Sequence, residues 1–127
     1  MNDMTKEKAI IWIGSTKEDL LGFPKPVIRQ VGYALSYAQN GEKHPDAKPL
    51  TGFGSSKIQE IVTLDKSGTY RSVYSVQFDN YVYVLHCFQK KAKTGIKTPK
   101  QDIDLIIKRL QDAEADYKAR KEGKYHA

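Results

Sequence analysis

Residues 58–89 decide the fold: Ile-Gln-Glu-Ile-Val-Thr-Leu-Asp-Lys-Ser-Gly-Thr-Tyr-Arg-Ser-Val-Tyr-Ser-Val-Gln-Phe-Asp-Asn-Tyr-Val-Tyr-Val-Leu-His-Cys-Phe-Gln. Three runs rich in β-branched and aromatic residues are separated by two turn signals, Asp65-Lys66-Ser67-Gly68 and Asp79-Asn80. The spacing predicts strands from Ile58 to Leu64, Thr69 to Phe78 and Tyr81 to Gln89, joined as an antiparallel meander. Period-2 alternation puts Arg71, Val73, Ser75 and Gln77 on one face of the middle strand, opposite Tyr70, Ser72, Tyr74, Val76 and Phe78. On the third strand it groups Val82, Val84, His86, Phe88 and Lys90 against Tyr81, Tyr83, Leu85 and Cys87. That strand is apolar on both faces for most of its length, as a central strand should be.

Upstream, Ala9-Ile10-Ile11-Trp12-Ile13 is a short apolar run stopped by Gly14 and reads as a further strand. A short helix capped by Ser15 or Thr16 follows, ending by Gly22-Phe23-Pro24. A second helix runs from Lys25 to Asn40, with Val27, Ile28, Val31, Ala34, Leu35 and Ala38 at helical spacing. Residues 42–57 are rich in Gly, Pro and Ser and read as a long loop. Downstream, Thr98 as cap and Pro99 at the first helical position open a C-terminal helix. Its stripe is Ile103, Ile106, Ile107, Leu110, Ala113 and Tyr117, and residues 118–127 read as a frayed tail. The order β-α-α-β-β-β-α gives an α+β fold. An antiparallel or mixed sheet of about four strands is packed by two N-terminal helices and a C-terminal helix.

At 127 residues the chain suits one domain spanning 1–127, burying roughly two-thirds of its unfolded surface. The single Cys87 cannot close an intramolecular disulfide, which excludes the disulfide-stapled secreted scaffolds. No apolar run is long enough to cross a membrane, and residues 1–8 lack the apolar stretch of a signal peptide. The expectation is a cytoplasmic protein with no membrane contact.

The formal charge of +6 is uneven: residues 1–64 carry 8 basic and 7 acidic side chains, residues 65–127 carry 13 and 8. No acid lies between Asp79 and Asp102, where Lys90, Lys91, Lys93, Lys97 and Lys100 occur. A second acid-free stretch carries Lys48 and Lys57. Such clusters attract polyanions, and charge alone fits a solvated loop equally well. Antiparallel pairing brings Arg71, near the start of one strand, beside Lys90 and Lys91 at the end of its neighbour. The loop with Lys48 and Lys57 is expected near the same basic end. Arg71 could instead pair with a carboxylate such as Glu60. His86 reads as a packed strand residue and Cys87 as core. The histidines show no metal spacing, so neither metal nor cofactor is expected.

The runs Tyr70-Arg71-Ser72-Val73-Tyr74, Tyr83-Val84-Leu85-His86-Cys87-Phe88-Gln89-Lys90-Lys91 and Lys97-Thr98-Pro99 resemble the RelE/ParE toxin superfamily, most closely its phage-derived, HigB-like branch. Ala47-Lys48-Pro49-Leu50-Thr51-Gly52-Phe53-Gly54 and Ile58-Gln59-Glu60-Ile61 fit the same pattern, so the resemblance spans roughly residues 9–117. It implies the fold already reached. It also implies a toxin of a type II toxin–antitoxin pair, neutralised by a small helix-turn-helix antitoxin in a hetero-oligomer. RelE and HigB relatives cleave mRNA on the ribosome without a metal, whereas ParE relatives inhibit DNA gyrase. A non-catalytic RNA-binding module is the third possibility.

On the nuclease reading Arg71, Lys90 and Lys91 are the catalytic candidates. Lys48, Lys57, Phe88, Lys93 and Lys97 are the RNA-binding ones, with Phe53 as a second stacking ring. Many RelE members carry a tyrosine soon after the basic strand end. Here Lys97-Thr98-Pro99 stands in that region, which leaves the general base unassigned.

Overall fold

A computed structural model describes residues 7–90 and 98–123. Its elements are β1 (Ala9–Trp12), α1 (Thr16–Leu21), α2 (Lys25–Gln39), β2 (Lys48–Pro49), β3 (Ile58–Asp65), β4 (Gly68–Ser75), β5 (Tyr81–Lys90) and α3 (Lys100–Lys121). They form one mixed sheet of five strands in the order β1-β5-β4-β3-β2. The meander pairs antiparallel as its turns require, and β1 adds in parallel to the far side of β5. At the β3–β4 turn Ser67 donates both its N–H and its O–H to Asp65 Oδ2, which holds the Asp65 carboxyl below its usual range. The β4–β5 connection is residues 76–80, longer than the expected two-residue turn because β4 ends at Ser75 and not at Phe78. Within it Asn80 takes φ 67°, a backbone that asparagine tolerates well.

The expected fold class holds, with one strand more than expected. The addition is β2, two residues inside the stretch read as loop, and it pairs with Glu60 and Gln59. Pro49 lacks a backbone donor and is admissible there because β2 is an edge strand. The helices cover both faces of the sheet. On one side Val27, Val31, Ala34, Leu35 and Ala38 of α2 pack on Tyr70, Tyr74, Val82, Val84 and Cys87. On the other, Ile106 and Ala113 of α3 pack on Ile58, Val73, Tyr83 and Leu85. No helix among the described residues is long and apolar enough to cross a membrane.

Three expectations are corrected. Strict alternation along β5 fails, because Val73 pairs with His86 but Tyr74 pairs with Val84, leaving Leu85 as an extra residue. This one-residue shift turns the second half of β5 over: Leu85 and His86 both face α3, and Cys87 joins Val84 on the α2 side. Ile107 is 43% exposed and lies off the packed stripe, whose members are Ile103, Ile106, Leu110, Ala113 and Tyr117. The tail is shorter than residues 118–127, since α3 continues to Lys121 and Arg120 donates to Asp116 one turn back.

Gly14, which stops β1, has φ +60°, and a Cβ there would sit 2.9 Å from the Arg109 guanidinium. Arg109 is not free to retreat, because its Nη1 donates to Leu85 O at the bulge. Gly14→Ala is expected to lower the unfolding free energy by about 1 kcal/mol, measured by urea denaturation.

Candidate functional site

The register between β4 and β5 sets Arg71 opposite Phe88 and Thr69 opposite Lys90, so arginine, aromatic ring and lysine share the α3-side face at one end of the sheet. Lys48 reaches the same face from the edge, opposite Glu60. The start of the α3 segment borders it through Thr98.

Arg71 is 5% exposed, far more buried than a surface strand arginine. Its Nη1 donates to Glu60 Oε2 at 3.0 Å and lies 3.5 Å from Thr98 Oγ1. The pairing with Glu60 is the one weighed from the sequence. Thr98 does not cap α3; Pro99 occupies the cap position and the hydroxyl turns toward Arg71 instead. The guanidinium is thereby held in one orientation before any ligand arrives, with Glu60 standing where an anionic oxygen would stand.

Phe88 stacks on His86 with ring centroids 4.3 Å apart and planes 17° from parallel. His86 is packed, as expected, but within a polar network. Its Nε2 lies 2.8 Å from Asp102 Oδ1, and Arg109 Nη1 approaches Nδ1 at 3.5 Å. Arg109 also donates to Leu85 O and reaches Ser15 Oγ, tying α3 to the bulge and to the loop before α1. A cation facing Nδ1 favours the neutral ring with its proton on Nε2, donated to Asp102. Burial is the larger influence and pushes the His86 pKa down, with the Asp102 hydrogen bond and charge opposing it. The sequence did not announce these partners, although Asp102 and Arg109 sit two turns apart on one face of α3 and could together have pointed to a strand residue.

Not every expected residue converges. Lys57 lies at the far end of the sheet, because β3 runs antiparallel to β4 and therefore starts beside the end of β4; Val76 N–H bonds to Lys57 O there. Thr69, opposite Lys90, and Val76 are separated by roughly 20 Å of strand. Lys57 also lines a cavity beside the C-terminal end of α2, whereas Lys48 lines a separate one at the β2 edge with Gln30 of α2, Asp46, Glu60 and Val62. Phe53 is half-buried against the Leu50–Ile58 core. Lys91, Lys93 and Lys97 lie outside the described residues. Burial raises the Cys87 thiol to about 11, which keeps it protonated and unreactive near neutral pH.

A family model described as phage-derived protein, Gp49-like, matches residues 18–111. The chain belongs to that family. The phage-derived branch of the RelE/ParE superfamily expected from the sequence is thus the one found, and the matched stretch of this Gp49-like protein contains Lys48, Glu60, Arg71, His86, Phe88 and Lys90. A similar solved structure is that of the toxin–antitoxin complex RelBE2 from Mycobacterium tuberculosis, at 18% identity and a TM-score of 0.44, covering 72% of this chain and 100% of that one. No curated protein matches the Gp49-like chain.

Proposed function

We propose that this Gp49-like protein is the toxin of a type II toxin–antitoxin pair and a ribosome-dependent mRNA endonuclease, held inactive by a small helix-turn-helix antitoxin. The observation that carries the reading is the register Arg71–Phe88, which sets a buried, pre-oriented guanidinium opposite a half-buried aromatic ring, with the half-buried Lys90 two residues on along β5. Family membership and the resemblance of the same strands to RelE and HigB toxins support it.

Metal-independent RNA cleavage needs a nucleophilic 2′-hydroxyl, a stabilised pentavalent phosphorane and a protonated leaving 5′-oxygen. Fixed cations supply most of this electrostatically. Arg71 is assigned to the phosphorane oxygens, displacing Glu60 from its fork as phosphate enters. Lys90 and Lys91 are assigned to phosphate and proton transfer. Phe88, backed by His86, offers a stacking surface for a base. Lys48 neutralises a neighbouring phosphate, and Lys93 and Lys97 belong to the same basic run.

Primer extension on cellular mRNA after induction tests the reading, with discrete codon-linked 5′ ends as the expected result. Intact mRNA with SOS induction would replace it by gyrase inhibition, and RNA binding without cuts or growth arrest by a plain binding module. Lys90→Ala is expected to lower cleavage by purified ribosomes about tenfold with an unchanged Tm, the loss of one charge-assisted contact.

A further inference from the structure

On the α2 side, at the end of the sheet remote from Arg71, the C-terminal end of α2 and the start of β3 enclose a cavity of about 300 Å³. Three lysines line it, Lys8, Lys43 and Lys57, against one acid, Glu42. None of the three lysines is in an ion pair among the described residues. Three cations brought together against a single carboxylate repel one another, and an anion relieves that repulsion.

Gln59 makes the cavity more than a basic patch. It is 6% exposed and its Nε2 donates to Ser56 O, which leaves Oε1 buried without a donor. A buried acceptor left unpaired is costly, and native structures keep few of them. Tyr74, 2% exposed, contributes a ring and a phenol that burial raises to about 12, so it stays protonated at neutral pH. Pro49 and Val76 complete an apolar wall. The volume lies at the lower end of small-molecule sites.

We infer that this cavity is a nucleotide site, in which Lys8, Lys43 and Lys57 take the phosphate and Gln59 Oε1 accepts from an exocyclic amino group of the base. The inference does not rest on the nuclease reading, since the two sites occupy opposite faces and ends of the sheet. The ligand is a free nucleotide or one nucleotide of an RNA strand.

Titrating the full chain with AMP, UMP, inorganic phosphate and an RNA hexamer, followed by NMR shifts of Lys57, Gln59 and Tyr74, tests it. AMP is expected to bind at least about tenfold tighter than UMP or phosphate, and Lys43→Ala/Lys57→Ala to weaken AMP at least about tenfold. Gln59→Leu should abolish the preference for AMP over UMP while phosphate binding persists; Lys43 and Lys57 are exposed, so the double variant stays informative should Gln59→Leu not fold. Competition between hexamer and AMP assigns the site to RNA, and AMP binding without it to a free nucleotide. No binding at millimolar ligand, equal affinities for all three small anions, or an unchanged double variant would overturn the inference.

Discussion

Arg71→Ala is expected to abolish growth arrest and to lower mRNA cleavage about a hundredfold or more, the usual scale for removing one fixed donor at a developing anion. The substitution also has a structural cost. Arg71 and Glu60 are a buried pair, with side chains 6% and 13% exposed, and removing one partner leaves the other charge uncompensated. Such changes cost about 3–5 kcal/mol, a large share of a small domain's stability. An inactive Arg71→Ala protein could therefore simply be unfolded, and the double variant Arg71→Ala/Glu60→Gln separates the two effects. Neutralising Glu60 is expected to recover most of the lost stability, read by urea denaturation, without recovering cleavage. Glu60→Gln alone keeps the arginine and removes its competitor, so cleavage should persist. A folded double variant that still arrests growth would remove Arg71 from the site.

The pair also shows which parts of the site can be read from residues alone. Arg71 and Glu60 lie on adjacent antiparallel strands whose register a four-residue turn fixes, so both the basic strand end and this partner follow from spacing. Four of the five strands follow from the same spacing, and β2 does not because two residues carry no periodicity. Chain direction places Lys57 away from Arg71. A loop entering an antiparallel strand arrives at the end opposite the start of its neighbour, and only the turn-back through β2 returns Lys48 to the face of Glu60. The bulge at Leu85 is harder to see. Every residue from Tyr81 to Leu85 is apolar or aromatic, so the sequence holds no alternation whose break would mark the extra residue. Without the bulge, Cys87 and His86 exchange faces, and the network joining His86 to α3 cannot be anticipated.

That network sets the acid sensitivity of the fold. In the native state the groups facing His86 are Asp102 and Arg109 of α3, with the Asp19 charge further off, and burial makes the neutral ring the favoured form. Its folded pKa therefore lies below the 6.5 of the unfolded chain. Well above pH 6.5 neither state carries a proton on this ring, and its titration leaves stability unchanged. Below that value the unfolded chain binds a proton that the folded chain resists, so stability falls with pH until the depressed folded pKa is reached. The contribution of one site cannot exceed about 1.4 kcal/mol per pH unit. Urea denaturation of the native chain between pH 7.5 and 5 is expected to show this decline beginning near 6.5. His86→Gln keeps a side-chain donor for Asp102 and cannot titrate, so its stability should be lower at pH 7.5 yet flatter across the same interval. Equal slopes for the two proteins would mean that the loss comes from carboxylates, and that the Asp102 bond offsets the burial of the ring. Because Phe88 stacks on this imidazole, a protonated and displaced His86 also withdraws the support beneath the proposed base platform. Cleavage by the native protein should then fall only as the pH drops through the depressed folded pKa, below the onset of the stability loss, while cleavage by His86→Gln, reduced at neutral pH, loses that inflection.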